Sequence, residues 1–497
     1  MNLVTTMERL AAEGGWLGAD AYLVDDHRHT YSQVYSGGRA AAAFLQESGV
    51  RRGDRVLLAL PDGFDLVRTF LGILGLGAVA VVVNPMLPTG ELAGMHERAD
   101  PVAVVCGAAL AATFDGARVV VPQDIPVTGD GPDPTAVDSS DPAWALFTSG
   151  TTGDPKLCFH THLDALVYDQ AFGKPVLGIG PGAVTLSVSK ASFAYGLGNS
   201  LLYPLLNGAT AVLVPGQPTP NAVLGAIERF GVRVLFAVPS FYGRLLADPG
   251  VELLVKVGKA VCAGEVLPRP VEEAVAALDG PVLLNGIGST EVGQTFAANA
   301  VGARRIGTVG KALPPYRVRV VDESGVDVAT GTEGALLVSG PTVATGCARA
   351  ADFRPHRTDA WHPTGDAATI DSEGFLRIAG RVDDLEIVAG VNVHPARIEE
   401  LFIGQAPVAD AAVCATPDGD GVSRLVAYVV PAPGVVDDGQ LKARLIAHLR
   451  GKLAPQKIPR TIVFVPELPR TYTGKLRRRS LRAAAATFET TGDWLIG

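Results

Sequence analysis

Thr148-Ser149-Gly150-Thr151-Thr152-Gly153-Asp154-Pro155-Lys156 is the stretch on which the reading of this chain turns. Its first six residues are all Thr, Ser or Gly, and a lysine closes the run. An apolar segment leads in at 143–147 and another leads out at 157–159, which reads as strand, tight glycine loop, strand. Glycines let backbone approach an anion closely, and successive N–H groups in such a loop form an anion-binding concavity. Hydroxyls and a lysine add further donors, so the guest that suits the loop is a polyphosphate. A Walker A loop is excluded: that motif ends Gly-Lys-Ser/Thr, and this run ends Pro155-Lys156-Leu157. A lone Gly/Ser/Thr run is more often a polar surface loop. The rest of the chain decides between the two.

Outward from the loop, both flanks alternate strand and helix patterns. Upstream, 34–46 is Ala-rich and helical, 54–60 a buried strand, 64–74 a helix and 78–83 a strand before the turn at Asn84-Pro85. Residues 122–142 are rich in Pro, Asp and Gly and read as an exposed connection. Downstream come strands at 183–187, 211–214 and 234–238, with helices around 197–206 and 222–230. Such alternation argues for βαβ units and a largely parallel sheet. From 307 to 337 the pattern turns to short β segments with glycine turns, which favours a small antiparallel or barrel-like unit. A polar stretch at 381–384 follows. Beyond it, helices at 395–402 and 437–453 and strands at 411–416 and 425–430 suffice for a small α+β domain.

Bulk composition bounds the function. A chain of 497 residues exceeds a single core, and 47% hydrophobic with 19% charged residues is globular. A net charge of −9 gives no electrostatic reason to bind nucleic acid or an anionic membrane. The five cysteines form no C-x-x-C pair, which argues against a disulfide framework or structural zinc and for a reducing compartment. No signal peptide is read at the N-terminus. The most apolar run, 70–83, falls short of the roughly 20 residues a membrane helix needs. The expected location is cytoplasmic. His160 and His162 share one face of the exit strand, but two histidines without a third ligand read as structural.

Several stretches together resemble the adenylate-forming superfamily of acyl- and aryl-CoA ligases, carrier-loading adenylation domains and luciferases. The loop at 148–156 resembles its phosphate loop, and Gly288-Ser289-Thr290-Glu291 resembles the motif facing ATP and magnesium. Thr364-Gly365-Asp366 resembles the ribose-binding motif, Gly380-Arg381-Val382-Asp383-Asp384 the hinge, and Pro469-Arg470-Thr471-Tyr472-Thr473-Gly474-Lys475 the loop of the catalytic lysine. One such motif is weak evidence; five in order are strong. Ser189 to Asn199 resembles the acid-pocket segment of benzoate-CoA ligases, Gly264-Glu265 their adenine-pocket strand end, and Asn392-Val393-His394-Pro395 the segment after the hinge in halobenzoate-type ligases.

The resemblance implies an α/β protein. Residues 1–380 form a large N-terminal adenylation domain of two βαβ-type sheet subdomains plus a small β-barrel. A hinge at 381–384 and a small mobile α+β C-terminal domain over 385–497 follow. It implies activation of an aryl carboxylic acid by ATP and Mg²⁺ to an acyl-adenylate, then transfer to coenzyme A or to a carrier-protein phosphopantetheine arm. Lys475, Thr290 and Glu291 are the implied catalytic residues, with Glu291 on Mg²⁺. ATP contacts are implied at Thr148, Ser149, Gly150, Thr151, Thr152, Gly153, Lys156, Gly264, Glu265, Asn285, Gly286, Ile287, Asp366 and Arg381. Arg381 either reaches the nucleotide or pins the hinge. Phe193, Ala194, Tyr195, Gly288, Gln294 and Thr295 line the implied acid pocket, Asp383 is the hinge residue and Gly390 a wall of the thiol tunnel.

Aromatic and small residues leave a flat apolar slot that suits an aryl ring. Gln294 stands where benzoate ligases tend to carry histidine, which points to a substituted benzoate, hydroxylated or aminated. Two departures fall after the hinge: Glu386 replaces an apolar residue, and Ala389-Gly390-Val391 replaces a more glycine-rich texture. A fused carrier domain is not expected, since 22 residues follow Lys475, and no aspartate stands at 194–195 to meet an α-ammonium. A carrier-loading adenylation enzyme and a non-catalytic nucleotide sensor are the competing readings; the sensor predicts loss of Lys475 or Glu291, and both are present. Monomer and homodimer both stay open.

Overall fold

The computed structural model describes residues 1–148, 156–344, 360–388, 391–417, 423–435, 440–470, 476–478 and 480–484, the side chains at 387, 391, 392 and 417 aside. Thr148 and Lys156, the two ends of the quoted stretch, belong to strands of a six-stranded sheet. In spatial order its strands are Val119–Val120, Ala103–Cys106, Arg55–Ala59, Val79–Val82, Pro142–Thr148 and Lys156–Thr161. The first five run parallel and the last returns antiparallel, pairing Thr148 with Lys156 across the loop. Runs such as Val-Ala-Val-Val at 79–82 are buried at every position. A parallel strand covered on both faces has no polar side to show.

A second sheet has nine strands, ordered Lys311–Ala312, Thr295–Ala298, Val282–Gly288, Lys259–Cys262, Val234–Ala237, Val184–Ser187, Thr210–Leu213, Asp20–Val24 and His27–Thr30. Its middle is parallel and both edges are antiparallel. The alternating pattern does not reveal that Asp20–Val24 leaves the N-terminal block to pair with Thr210–Leu213. The strand is buried at four of its five positions, so it needs cover on two faces. A helix joins the two blocks: Tyr31–Glu47 starts on a capping box of Thr30 and Gln33 and packs on helix Phe64–Gly75. The axes come close because Gly72 faces Ala41; a Cβ there would lie 2.8 Å from the Ala41 Cβ.

The 122–142 connection is largely exposed, as read, but its start is tied down. Arg68, 2% exposed, donates to the carbonyls of Pro122 (2.8 Å), Ile125 (3.2 Å) and Pro126 (2.8 Å). The unit expected to be antiparallel or barrel-like is a four-stranded antiparallel sheet of Arg317–Val321, Gly334–Ser339, His362–Ile370 and Leu376–Arg381. A small α+β domain follows. It holds a two-stranded ribbon (Glu386–Val388, Val391–Val393) and a three-stranded sheet (Val408–Pro417, Ser423–Pro431, Thr461–Phe464). Helices Pro395–Ile403 and Leu441–Arg450 supply Ile398, Phe402, Leu441, Leu445 and Leu449 to its core. No helix among the described residues is long and apolar enough to cross a membrane.

One expectation about thiols is corrected. Cys106, Cys262 and Cys414 are free and buried, but Cys158 on the exit strand is disulfide-bonded, with its partner outside the described residues.

A buried ion pair spans the two large sheets. Asp62 follows strand Arg55–Ala59 and Lys190 follows strand Val184–Ser187; the charged atoms stand 4.0 Å apart. Asp62 also accepts from the Ala191 N–H at 3.1 Å, and Lys190 donates to the Val214 carbonyl. Burial raises the Asp62 carboxyl to about 6, with Lys190 and the Ala191 N–H opposing, while burial lowers the Lys190 ammonium. A carboxyl whose folded value lies above its unfolded value loses stabilisation as pH rises through the folded value. Wild type is therefore expected to lose about 3 kcal/mol relative to Asp62→Asn between about pH 4 and pH 7. Denaturant melts of both proteins across that range measure it; a constant difference would refute it.

Candidate active site

The candidate residues gather at the carboxyl ends of parallel strands in the nine-stranded sheet. Phe193, Ala194 and Tyr195 follow Val184–Ser187, Gly264 and Glu265 follow Lys259–Cys262, and Gly288 ends Val282–Gly288. Ligands in open α/β sheets bind at such ends. Gly286, Ile287 and Gly288 pair with Ala298, Ala297 and Thr295 on the adjoining strand, so the motif 288–291 emerges beside Gln294 and Thr295. A Cβ at Gly288 would lie 2.7 Å from the Gln294 carbonyl oxygen, so no larger residue fits this register.

The exit strand of the glycine loop is tied directly to the 288–291 motif. His160 Nε2–H donates to the Thr290 carbonyl at 2.9 Å, and its Nδ1 lies 3.1 Å from the Tyr168 hydroxyl and 3.3 Å from Asp164. Asp164 in turn accepts from the Thr161 N–H (3.1 Å) and hydroxyl (2.6 Å). This closed, buried network fixes Thr290 relative to Thr148 and Lys156. Spacing alone gives His160 no such task, because Thr290 lies 130 residues away. His162 is separate: it accepts the Leu3 N–H at 3.2 Å, and burial lowers its imidazole to about 4.

Glu291 is half-buried, and His362 on strand His362–Ile370 is its electrostatic neighbour. Burial pulls the His362 imidazole below its ordinary range while the Glu291 carboxylate opposes. Sequence pattern alone gives His362 no role; its place two residues before Thr364 is the available signal. Asp366 lies opposite Arg381 across two antiparallel strands. The Arg381 Nη1 donates to the Thr364 carbonyl at 2.7 Å and lies 3.5 Å from Asp366. Asp383 stands 3.9 Å from the same guanidinium and is exposed.

Asn285 offers a test of the expected nucleotide. Its Nδ2 donates to the Thr308 carbonyl at 3.2 Å, while its buried Oδ1 has no hydrogen-bond partner among the described residues. An orphaned buried acceptor suits a donor such as an exocyclic amine of a base. Glu291 is a hard oxygen donor of the kind Mg²⁺ prefers.

Among the residues expected to line an acid pocket, Gln294 meets Ala194 and Thr295 pairs with Gly288, and one expectation is corrected. Gln294 is 2% exposed, and its amide serves the protein: Nε2 donates to the Ala194 carbonyl and Oε1 accepts from the Tyr203 hydroxyl at 3.3 Å. The hydrogen bonding expected from Gln294 toward a ring substituent is thus already spent. Tyr195 donates to the Val261 carbonyl at 3.2 Å and meets the Phe236 ring edge-on at 6.2 Å. Glu265 accepts from the Ser240 N–H at 3.1 Å and faces Arg470 of the small domain at 3.5 Å. Ser149, Gly150, Thr151, Thr152, Gly153, Gly390 and Lys475 lie outside the described residues. Their flanks are placed: Arg470 pairs with Leu476 in an antiparallel bridge.

Comparison with known proteins agrees with this arrangement. The model of the AMP-binding enzyme family matches residues 11–347, and that of the AMP-binding enzyme C-terminal domain matches 397–475. The chain is 37% identical to p-hydroxybenzoic acid–AMP ligase FadD22 of Mycobacterium tuberculosis, over 98% of this chain and 69% of that protein. It is 35% identical to benzoate–CoA ligase of Thauera aromatica, over 96% and 94%. A solved benzoate CoA ligase from Burkholderia xenovorans LB400 superposes with a TM-score of 0.88 at 31% identity, over 97% and 100%. With residues 11–347 and 397–475 both matched, the chain belongs to the AMP-binding enzyme family.

Proposed function

We propose that the protein is an AMP-forming aryl-CoA ligase. What supports the reading is that Ala194, Tyr195, Gly288, Thr290, Glu291 and Asn285 lie on or just after neighbouring strands of one sheet, where an aryl slot beside the nucleotide would stand. The aryl carboxylate oxygen attacks the α-phosphorus of ATP, the bond to the β-phosphate oxygen breaks, and pyrophosphate leaves. The thiol of coenzyme A then attacks the acyl carbon, AMP leaves and the thiol proton is released. An anion approaches a polyanion in the first step, so positioning and positive charge carry the catalysis.

In this reading residues 1–380 bind ATP and acid, 381–384 form the hinge about Asp383, and 385–497 carry Lys475. Residues 148–153, Lys156 and the 264–265 and 285–287 segments hold the nucleotide, Asp366 its ribose, with Arg381 alongside. Phe193, Gln294 and Thr295 complete the acid slot, Gln294 through packing and through the Ala194 carbonyl. Glu291 would hold Mg²⁺, which when bound neutralises phosphate charge, and Gly390 would line the thiol's path.

A second reading is favoured by the similarity to an aryl acid–AMP ligase at 37% identity: the aryl group passes to a carrier-protein phosphopantetheine arm. One experiment separates the two. Purified protein with ATP, Mg²⁺, CoA and a panel of benzoates, aliphatic acids and amino acids is assayed for acyl-CoA by mass spectrometry, with AMP followed in parallel. Aryl-CoA is the expected product. Adenylate without acyl-CoA would refute the ligase reading in favour of the carrier one.

A further inference from the structure

The turn that carries Thr290 and Glu291 is anchored by its backbone. The successive carbonyls of Thr290, Glu291 and Val292 each accept from a different group: His160 Nε2–H at 2.9 Å, the Ala344 N–H at 2.8 Å and the Thr342 hydroxyl at 2.8 Å. Thr342 and Ala344 follow strand Gly334–Ser339, so three parts of the chain meet at this turn. The side chains behave differently from the backbone. Val292 is buried, whereas Thr290 and Glu291 are half-buried, and neither side chain makes a hydrogen bond among the described residues. Fixing three consecutive peptide planes fixes the directions in which those two side chains leave the backbone.

His160 and Thr342 belong to one network. The Tyr168 hydroxyl lies 3.1 Å from His160 Nδ1 and also bonds the Thr342 side chain, which the Tyr316 hydroxyl meets at 2.9 Å. Asp164 lies 3.3 Å from the same Nδ1. Trp144, opposite His160 on the entry strand of the glycine loop, stacks on the imidazole at 5.7 Å. None of His160, Asp164, Tyr168 and Thr342 is more than 1% exposed. Gly293 closes the turn onto this network: its φ is +89°, and a Cβ there would lie 1.8 Å from the Tyr168 hydroxyl and 2.8 Å from the His160 ring. A buried polar network whose members are paired is rigid, and it passes that rigidity to what it holds.

We infer that His160 is a positioning residue for the adenylation step: through the Thr290 carbonyl it sets the turn from which the Thr290 hydroxyl and the Glu291 carboxylate would meet ATP and Mg²⁺. It touches no substrate and acts only through that turn. The inference rests on the reading in which Thr290 and Glu291 serve adenylation, and it is independent of which thiol accepts the acyl group. Its physical basis is that catalysis by charge and position tolerates little displacement of the groups that supply them.

Glutamine and asparagine separate positioning from packing. A glutamine amide nitrogen extends about as far as Nε2 and can donate to Thr290, whereas an asparagine nitrogen extends only as far as Nδ1. His160→Asn is expected to lower exchange of pyrophosphate into ATP by about tenfold to a hundredfold, and His160→Gln to stay within about threefold of wild type. A second readout needs no turnover: calorimetric ATP affinity without acid, measured with and without Mg²⁺. The gain in affinity brought by Mg²⁺ is expected to shrink by about tenfold in His160→Asn and to persist in His160→Gln. Equal exchange rates in the two variants, or a Mg²⁺ gain unchanged in both, would mark His160 as structural and overturn the inference. Should His160→Asn fail to fold, Tyr168→Phe removes one hydroxyl of the network and keeps the ring. It is expected to lower exchange by about threefold to tenfold, and an unchanged rate would overturn the inference. Aryl-adenylate without acyl-CoA would remove the ligase reading and leave this role standing. Absence of exchange by wild type with every acid would remove both.

Discussion

Lys475→Ala is expected to lower adenylate formation by about a hundredfold to a thousandfold, the usual loss when one preorganised charge partner of a transition state is removed. The step brings a carboxylate onto a phosphate, and an ammonium between them offsets repulsion that no neutral group can. The flanks of the lysine's segment are held for such a task. Arg470 donates to Asp410 at 2.6 Å within the small domain and reaches Glu265 of the large domain at 3.5 Å, and its backbone bridges to Leu476. Exchange of pyrophosphate into ATP measures the first half-reaction, and thiol transfer from supplied aryl-adenylate measures the second. Only the first should fall. A variant within threefold of wild type in exchange would strip Lys475 of its role.

Arg478→Ala is expected to destabilise the small domain by about 3–5 kcal/mol, the cost of leaving the buried Glu399 carboxylate without its partner. Arg478 grips Glu399 with two nitrogens, at 2.5 and 2.9 Å, and also donates to Asp384 (3.3 Å) and the Val413 carbonyl (3.0 Å). Glu399 further accepts the Val413 N–H at 2.7 Å, so one cluster joins a helix, a strand and the segment after 381. The carboxylates drive the guanidinium further above its ordinary range, which means its charge is stabilised there despite burial. Denaturant melts monitored through the small domain test the claim, and Arg478→Lys, which cannot form the two-pronged contact, should recover only part of the loss. An unchanged midpoint in Arg478→Ala would show that the cluster contributes nothing.

Arg478 also shows where the sequence misleads. It belongs to the basic run at 475–482, and such a run usually reads as a solvated tail. In the fold, Arg478 is half-buried against Glu399, and Arg482 donates to Glu386 at 2.8 Å. Glu386, which departs from the apolar residue usual in the family, thereby has a partner. The oddity at 386 and the basic run are two halves of one contact.

Much of the rest was legible. The strands at 142–148 and 156–161, the parallel sheets and the small α+β domain follow from apolar runs whose length and flanks allow little else, and the order of the five motifs named the family. These are local properties: backbone conformation and binary pattern are set by residues a few positions apart. Which side chain meets which was not local. Strand Asp20–Val24 crosses to the second sheet, Gln294 spends its amide on Ala194 a hundred residues earlier, and His160 reaches Thr290. A hydrogen bond between distant residues depends on directions that only close packing fixes. The sequence determined the fold and the class of chemistry; the tertiary structure decided which distant polar groups meet.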